Sequence, residues 1–95
     1  MRADFDTIHN HHERLVFDAV SAIAPRFAHL QDPQLLADVA CVALNRLPPR
    51  YIRHDVDLAF YLTAKEHAAA AHIVDEAVVF AFEFVQARTA MQART

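Results

Sequence analysis

Glycine is absent from the chain. Without it the backbone has no inexpensive route into left-handed conformations, so glycine-rich phosphate loops and the primed turns of two-residue hairpins are both disfavoured. A single cysteine, Cys41, excludes an intrachain disulfide, and nothing implies an oxidising compartment. Apolar runs are short: residues 77–82 fall far below the length that crosses a bilayer. The N-terminus, MRADFDTIHN, lacks the basic start and apolar stretch of a secretory signal. A cytoplasmic protein is expected, with no membrane partner. Nucleophile elbow, P-loop and HExxH are also missing, so no enzymatic activity and no cofactor are expected.

What is present points to helices. The 95 residues suffice for one domain, and 55 % of them are apolar, more than so small a body needs for its own core. Part of that excess is expected to face a second subunit. The domain spans residues 1–95, with its core in about 8–88 and frayed ends at 1–5 and 89–95. Residues 6–24 carry Ile8, Leu15, Val16, Ala19, Val20 and Ile23 at helical spacing, and Pro25 ends or bends this first helix. Asp32 followed by Pro33 opens a second helix, with a stripe of Leu36, Val39, Ala40, Ala43 and Leu47. Pro48–Pro49 stops it and enforces an extended path. Residues 51–62 read as extended connectors, with one short strand in YIR and one in AFYL. A capping box, Thr63 with Glu66, opens a third helix running to about residue 88.

The third helix is apolar around most of its circumference. Ile73, Ala77, Phe80 and Phe84 line one face; Val74, Val78, Ala81 and Val85 line the next, with Phe82 beyond. Two short helices of the same chain cannot cover all of it, so packing on a symmetry mate is expected. The fold class is mainly α: a small three-helix domain, with room for a short extra helix or strand, in a homodimeric helical assembly. A monomer with a few exposed aromatics is the alternative.

Three clusters carry possible chemistry. HNHHE sets His9, His12 and Glu13 at helical spacings that suit a zinc ion; without paired Cys/His spacing it reads as a solvated polar face, and no metal site is assigned. His67 and His72, beside Asp75 and Glu76, are acid–base groups with no sign of convergence on a pocket. Cys41, between Ala40 and Val42, reads as a small buried core residue. The third cluster, RLPPRYIRH, holds Arg46, Arg50 and Arg53 with Tyr51 and His54 around the proline pair. On an extended backbone these guanidiniums point outward, and guanidinium forks pair with phosphate oxygens and stack on flat rings. Tyr51 adds a stacking surface. A nucleotide or short phosphate ligand fits this set better than a long nucleic acid, because the chain carries a net charge of −3. Asn45 is expected to bond backbone near the helix end.

Residues 38–52, DVACVALNRLPPRYI, closely resemble the signature D-[VI]-x-A-L-x-L-N-x-L-P-P-x-Y-V of the late competence development protein ComFB family. Asn10, Glu13 and Val16 resemble its N-x-x-E-x-x-V pattern. The resemblance implies a helical homodimer without enzymatic activity, linked to competence and motility regulation and proposed to receive cyclic dinucleotide messengers. By position, Asn45, Leu47, Pro48, Pro49 and Tyr51 match the motif. Relatives that bind zinc use cysteines between the first two helices, and HLQDPQLLADV has none. The resulting expectation is a receptor for a cyclic dinucleotide, cyclic di-GMP ahead of cyclic di-AMP, with ligand contacts from Arg46, Arg50, Tyr51, Arg53 and His54. The competing expectation is a ligand-free adaptor that docks on a larger regulator.

Overall fold

A computed structural model describes residues 3–93. Three long helices carry the fold: α1 (His12–Ile23), α2 (Pro33–Arg46) and α4 (Ala64–Ala93), with α3 (Leu58–Tyr61) a single turn before α4. Strands β1 (His9–Asn10) and β2 (Tyr51–Ile52) pair antiparallel, His9 opposite Ile52 and Asn10 opposite Tyr51. The body is a slab of 51 × 38 × 19 Å, about two helix diameters thick. No described residue has a positive φ, as a chain without glycine requires. Its corners are 3-10 turns (Phe5–Thr7, Ala24–Arg26, Asp55–Asp57) and extended single residues such as Leu47 and Leu62 instead.

The helix boundaries follow local chemistry. Asp32 Oδ1 accepts the Gln34 N–H at 2.8 Å and starts α2 at Pro33. Leu47, at φ −95° and ψ 139°, ends it ahead of the prolines. Thr63 and Glu66 form the reciprocal capping box: the Glu66 N–H donates to Thr63 Oγ1 and the Thr63 N–H to Glu66 Oε1. Asn45 Nδ2 donates to the Cys41 carbonyl at 3.0 Å, the backbone bond expected of it.

The core is one cluster. Val16, Ala19, Val20 and Ile23 of α1 meet Val39 and Ala43 of α2 and Val74, Val78, Phe82 and Val85 of α4. Phe82 is fully enclosed and stacks on Phe27, centroids 4.7 Å apart and planes 7° from parallel. Buried alanines at 19, 40, 43, 77 and 81 let the helix axes approach closely. Asp38 of α2 pairs with Arg88 of α4 at 2.7 Å. Among the described residues no helix is long and apolar enough to cross a membrane.

Several expectations need correcting. The first helix starts at His12, not at residue 6, because residues 9 and 10 are drawn into the ribbon by a strand forty positions away. Ile8 is consequently half-exposed outside the core, and His9 shares no helical face with His12 or Glu13. AFYL is no strand: with no further strand beside it to pair with, residues 58–61 close a helical turn, and the Leu62 N–H bonds the Leu58 carbonyl. The last helix continues to Ala93, so residues 89–93 are helical rather than frayed, following the Arg88–Asp38 pair that ties α4 to α2. Residues 1, 2, 94 and 95, also expected to fray, lie outside the described residues, and Phe5 opens a 3-10 turn. Cys41 is exposed, because one step past Ala40 turns its side chain out of the core stripe.

Candidate functional site

The proline pair places Arg50. Residues 48 and 49 have no N–H to offer, so Arg50 provides the first backbone donor after Leu47. That N–H donates to Asn10 Oδ1 at 3.2 Å, and the Arg50 carbonyl accepts the His11 N–H at 2.7 Å. Asn10 Oδ1 also takes the His12 N–H at 3.1 Å, while Glu13 Oε2 accepts the Asn10 N–H at 3.3 Å. The start of α1 and the exit of the proline segment are thus held by one side chain, and β1 and β2 continue the same pairing outward.

Beside this clasp lies a cavity of about 220 Å³. Leu47, Pro48, Pro49 and Arg50 form one wall, and His11 and His12 another. Opposite them, Leu62 and the first turns of α4, including Glu66 and Ile73, close it. The lining is mostly apolar, with a few polar groups that converge on it, which is the usual make-up of a small-ligand site.

Both histidines lean toward the neutral form. Burial lowers the His11 pKa below its usual 6.5, and His67, Arg50 and His9 lower it further, against the opposing pull of Asp55. Burial also lowers His12, helped by His11 and Arg50 and partly offset by the Pro48 carbonyl. Near neutral pH, Arg50 is therefore the cation facing the cavity, with Glu66 the carboxylate of its lining.

The five expected contact residues are divided among three surfaces. Arg50 alone lines the cavity. Tyr51, Arg53 and His54 border an open hollow with Ile8, Ile52 and Asp57. Strand alternation produces that split, burying Ile52 and turning Tyr51, 66 % exposed, outward. Arg53 Nε is held by Thr7 Oγ1 at 2.8 Å. Arg46 is not on extended backbone, as the sequence suggested, but in the last turn of α2, because the helix persists until Leu47. Its guanidinium carbon lies 3.7 Å from the Phe80 ring centroid, on a cleft shared with Leu47, Ile73 and Glu76.

Sequence reasoning missed Asn10, His11, His12 and the α4 residues of the cavity. The signal for Asn10 was present: Asn10 and Glu13, three apart, have the spacing of a capping box, and were read as helix interior. The far wall had no such signal. His72 pairs with Glu76 one turn along α4, solvent-exposed and outside the cavity lining; of the acid–base groups noted on this helix, only His67 acts on His11.

Comparison with known proteins gives one finding: the family model described as Late competence development protein ComFB matches residues 9–89. No curated protein and no solved structure matches.

Proposed function

The chain belongs to the ComFB family, whose description associates it with competence-related regulation, and from that premise we propose that it is a non-enzymatic cytoplasmic receptor for a cyclic dinucleotide, acting as a homodimer. The observation that carries this reading is Arg50, fixed at both backbone ends on the wall of an apolar cavity in which the flanking histidines favour the neutral state. A single arginine on an anchored backbone beside an apolar recess suits a ligand that couples a phosphate to a flat ring. The cavity, about 220 Å³, is smaller than the roughly 300 Å³ at which whole-ligand pockets begin. It takes one part of the ligand, and the remainder runs over Tyr51, Arg53 and His54 on the ribbon.

The homodimer rests on α4. Ile73, Ala77, Phe80 and Phe84 recur at alternating spacings of four and three, and Ile73, Phe80 and Phe84 stay 49 %, 38 % and 47 % exposed. That repeat is a helix-docking seam, and a second copy of α4 across a two-fold axis answers it with the same residues. Arg46, stacked on Phe80, belongs to the seam rather than to the ligand.

One observation favours an adaptor instead: Phe17, Leu36, Ala40 and Leu44 line an open apolar groove between α1 and α2. Calorimetric titration with cyclic di-GMP, cyclic di-AMP and linear pGpG separates the two readings. The receptor binds a cyclic dinucleotide at micromolar concentration; absence of heat with all three at tens of micromolar rejects it in favour of the adaptor.

A further inference from the structure

Asn10 is the one buried polar residue among the described residues, 9 % exposed in β1, outside the apolar core cluster. Its Oδ1 accepts two backbone N–H groups from segments far apart in sequence, those of His12 and Arg50. A cap for α1 needs only the first of these. The second ties down a loop with no other donor to offer between Leu47 and Tyr51, since the two residues besides Arg50 are prolines. Glu13 in turn fixes Asn10 by accepting its N–H, and the His11 N–H holds the Arg50 carbonyl. These bonds set the point from which the Arg50 guanidinium reaches.

We infer that Asn10 is the positioning residue of the anion site: by holding the Arg50 N–H it fixes where the guanidinium can meet a phosphate, while touching no ligand itself. This rests on the receptor reading above and adds to it a residue outside the cavity lining. In this chain it joins the two sequence patterns, since the asparagine of N-x-x-E-x-x-V receives the first N–H after the proline pair of the second pattern.

The test uses the intact chain, cyclic di-GMP as probe, and three readouts: calorimetric affinity, thermal midpoint and hydrogen exchange of the Arg50 amide. Asn10→Ala should weaken binding by roughly tenfold or more and speed Arg50 exchange at least as much, since a half-buried donor loses its acceptor. Asn10→Asp, whose carboxylate accepts both N–H groups, should restore slow exchange and keep affinity within about fivefold of wild type. Val39→Ala in the core of α2 should lower the midpoint at least as far yet leave affinity within about twofold, because it opens a cavity away from the loop. If Asn10→Ala does not fold, Asn10→Ser replaces it: its shorter side chain caps α1 but falls short of Arg50. Wild-type affinity in the folded Asn10→Ala or Asn10→Ser protein overturns the inference, as does an equal loss in Val39→Ala. A wild-type protein that binds no cyclic dinucleotide overturns the receptor reading itself and this inference with it.

Discussion

Phe84→Glu should convert the proposed dimer into a folded monomer. Phe84 is 47 % exposed, Ile73 49 % and Phe80 38 %. A phenylalanine carries about 200 Å² of surface, so covering the exposed half removes about 100 Å² from water, or about 2.5 kcal/mol. Three such side chains per subunit, counted on both sides of a two-fold axis, give about 15 kcal/mol gross. Association itself costs about 4–15 kcal/mol, which leaves a surplus of at most about 11 kcal/mol. The substitution acts twice in a symmetric interface and removes about 5 kcal/mol before any carboxylate desolvation is counted. Dimer affinity should therefore fall by more than roughly a thousandfold. Light scattering at micromolar concentration should then read 10.7 kDa for the variant and twice that for wild type. The far-UV spectrum and thermal unfolding of the monomer should persist, since Phe84 is not among the core residues. Phe17→Glu, in the α1–α2 groove, should leave the dimer intact. A monomeric wild type, or a dimer that survives Phe84→Glu and falls apart with Phe17→Glu, refutes the α4 seam.

Three further outcomes follow from the same geometry. Arg50→Ala should cost about 1.5–3 kcal/mol of cyclic dinucleotide affinity, the worth of a hydrogen bond to a charged group, whereas Arg46→Ala should leave calorimetric affinity within about threefold; equal losses would return Arg46 to the ligand site. Phe82→Ala should destabilise the fold by about 3–5 kcal/mol in urea unfolding, because it empties a fully enclosed position and unstacks Phe27; a loss below about 1 kcal/mol would mean that the core collapses around the gap. His11 and His12 titrate below 6.5 in the folded chain, so the unfolded chain binds more protons as the pH falls through 6.5 and below. Their contribution to stability is complete above that value and is lost on acidification. The drop between pH 7.5 and 5.5 should shrink in the His11→Gln/His12→Gln double variant, and an unchanged pH slope would reject the assignment.

The elements legible in the sequence were those whose signals are local. Asp32–Pro33, Leu47 before two prolines, and Thr63 with Glu66 each settle a backbone hydrogen bond within a few residues, and each boundary lies where it was expected. The elements misread depend on distant partners. Residues 9 and 10 have helical neighbours but pair with residues 51 and 52, and Asn10 Oδ1 accepts the Arg50 N–H as well as the His12 N–H of the helix. Cys41 was misjudged for a different reason: apolar neighbours in sequence say nothing about which of them faces inward, and on a helix adjacent residues point 100° apart. The candidate site was half legible. Composition marked RLPPRYIRH, but the cavity beside it is completed by the start of α1 and the start of α4, and no spacing within the nine residues contains that information.

The absence of glycine and the presence of the clasp are connected. A chain that uses no left-handed residue leaves a helix through a 3-10 turn, as α1 does, or by extended backbone, as α2 does at Leu47, and proline enforces the second exit. The cost is two missing N–H groups in succession, so the segment cannot secure itself through its own backbone until Arg50. Whatever anchors the exit must then accept at Arg50, and a side-chain carbonyl from another element is the direct solution; Asn10 provides it. The same requirement makes Arg50, rather than Arg46 or Arg53, the arginine whose backbone position is determined on both sides. Arg46 leans on Phe80 and Arg53 on Thr7 through their side chains, contacts that a competing ligand can displace. Arg50 keeps its side chain available because its backbone does the anchoring, and that division of labour is why the ligand reading is placed on this one residue.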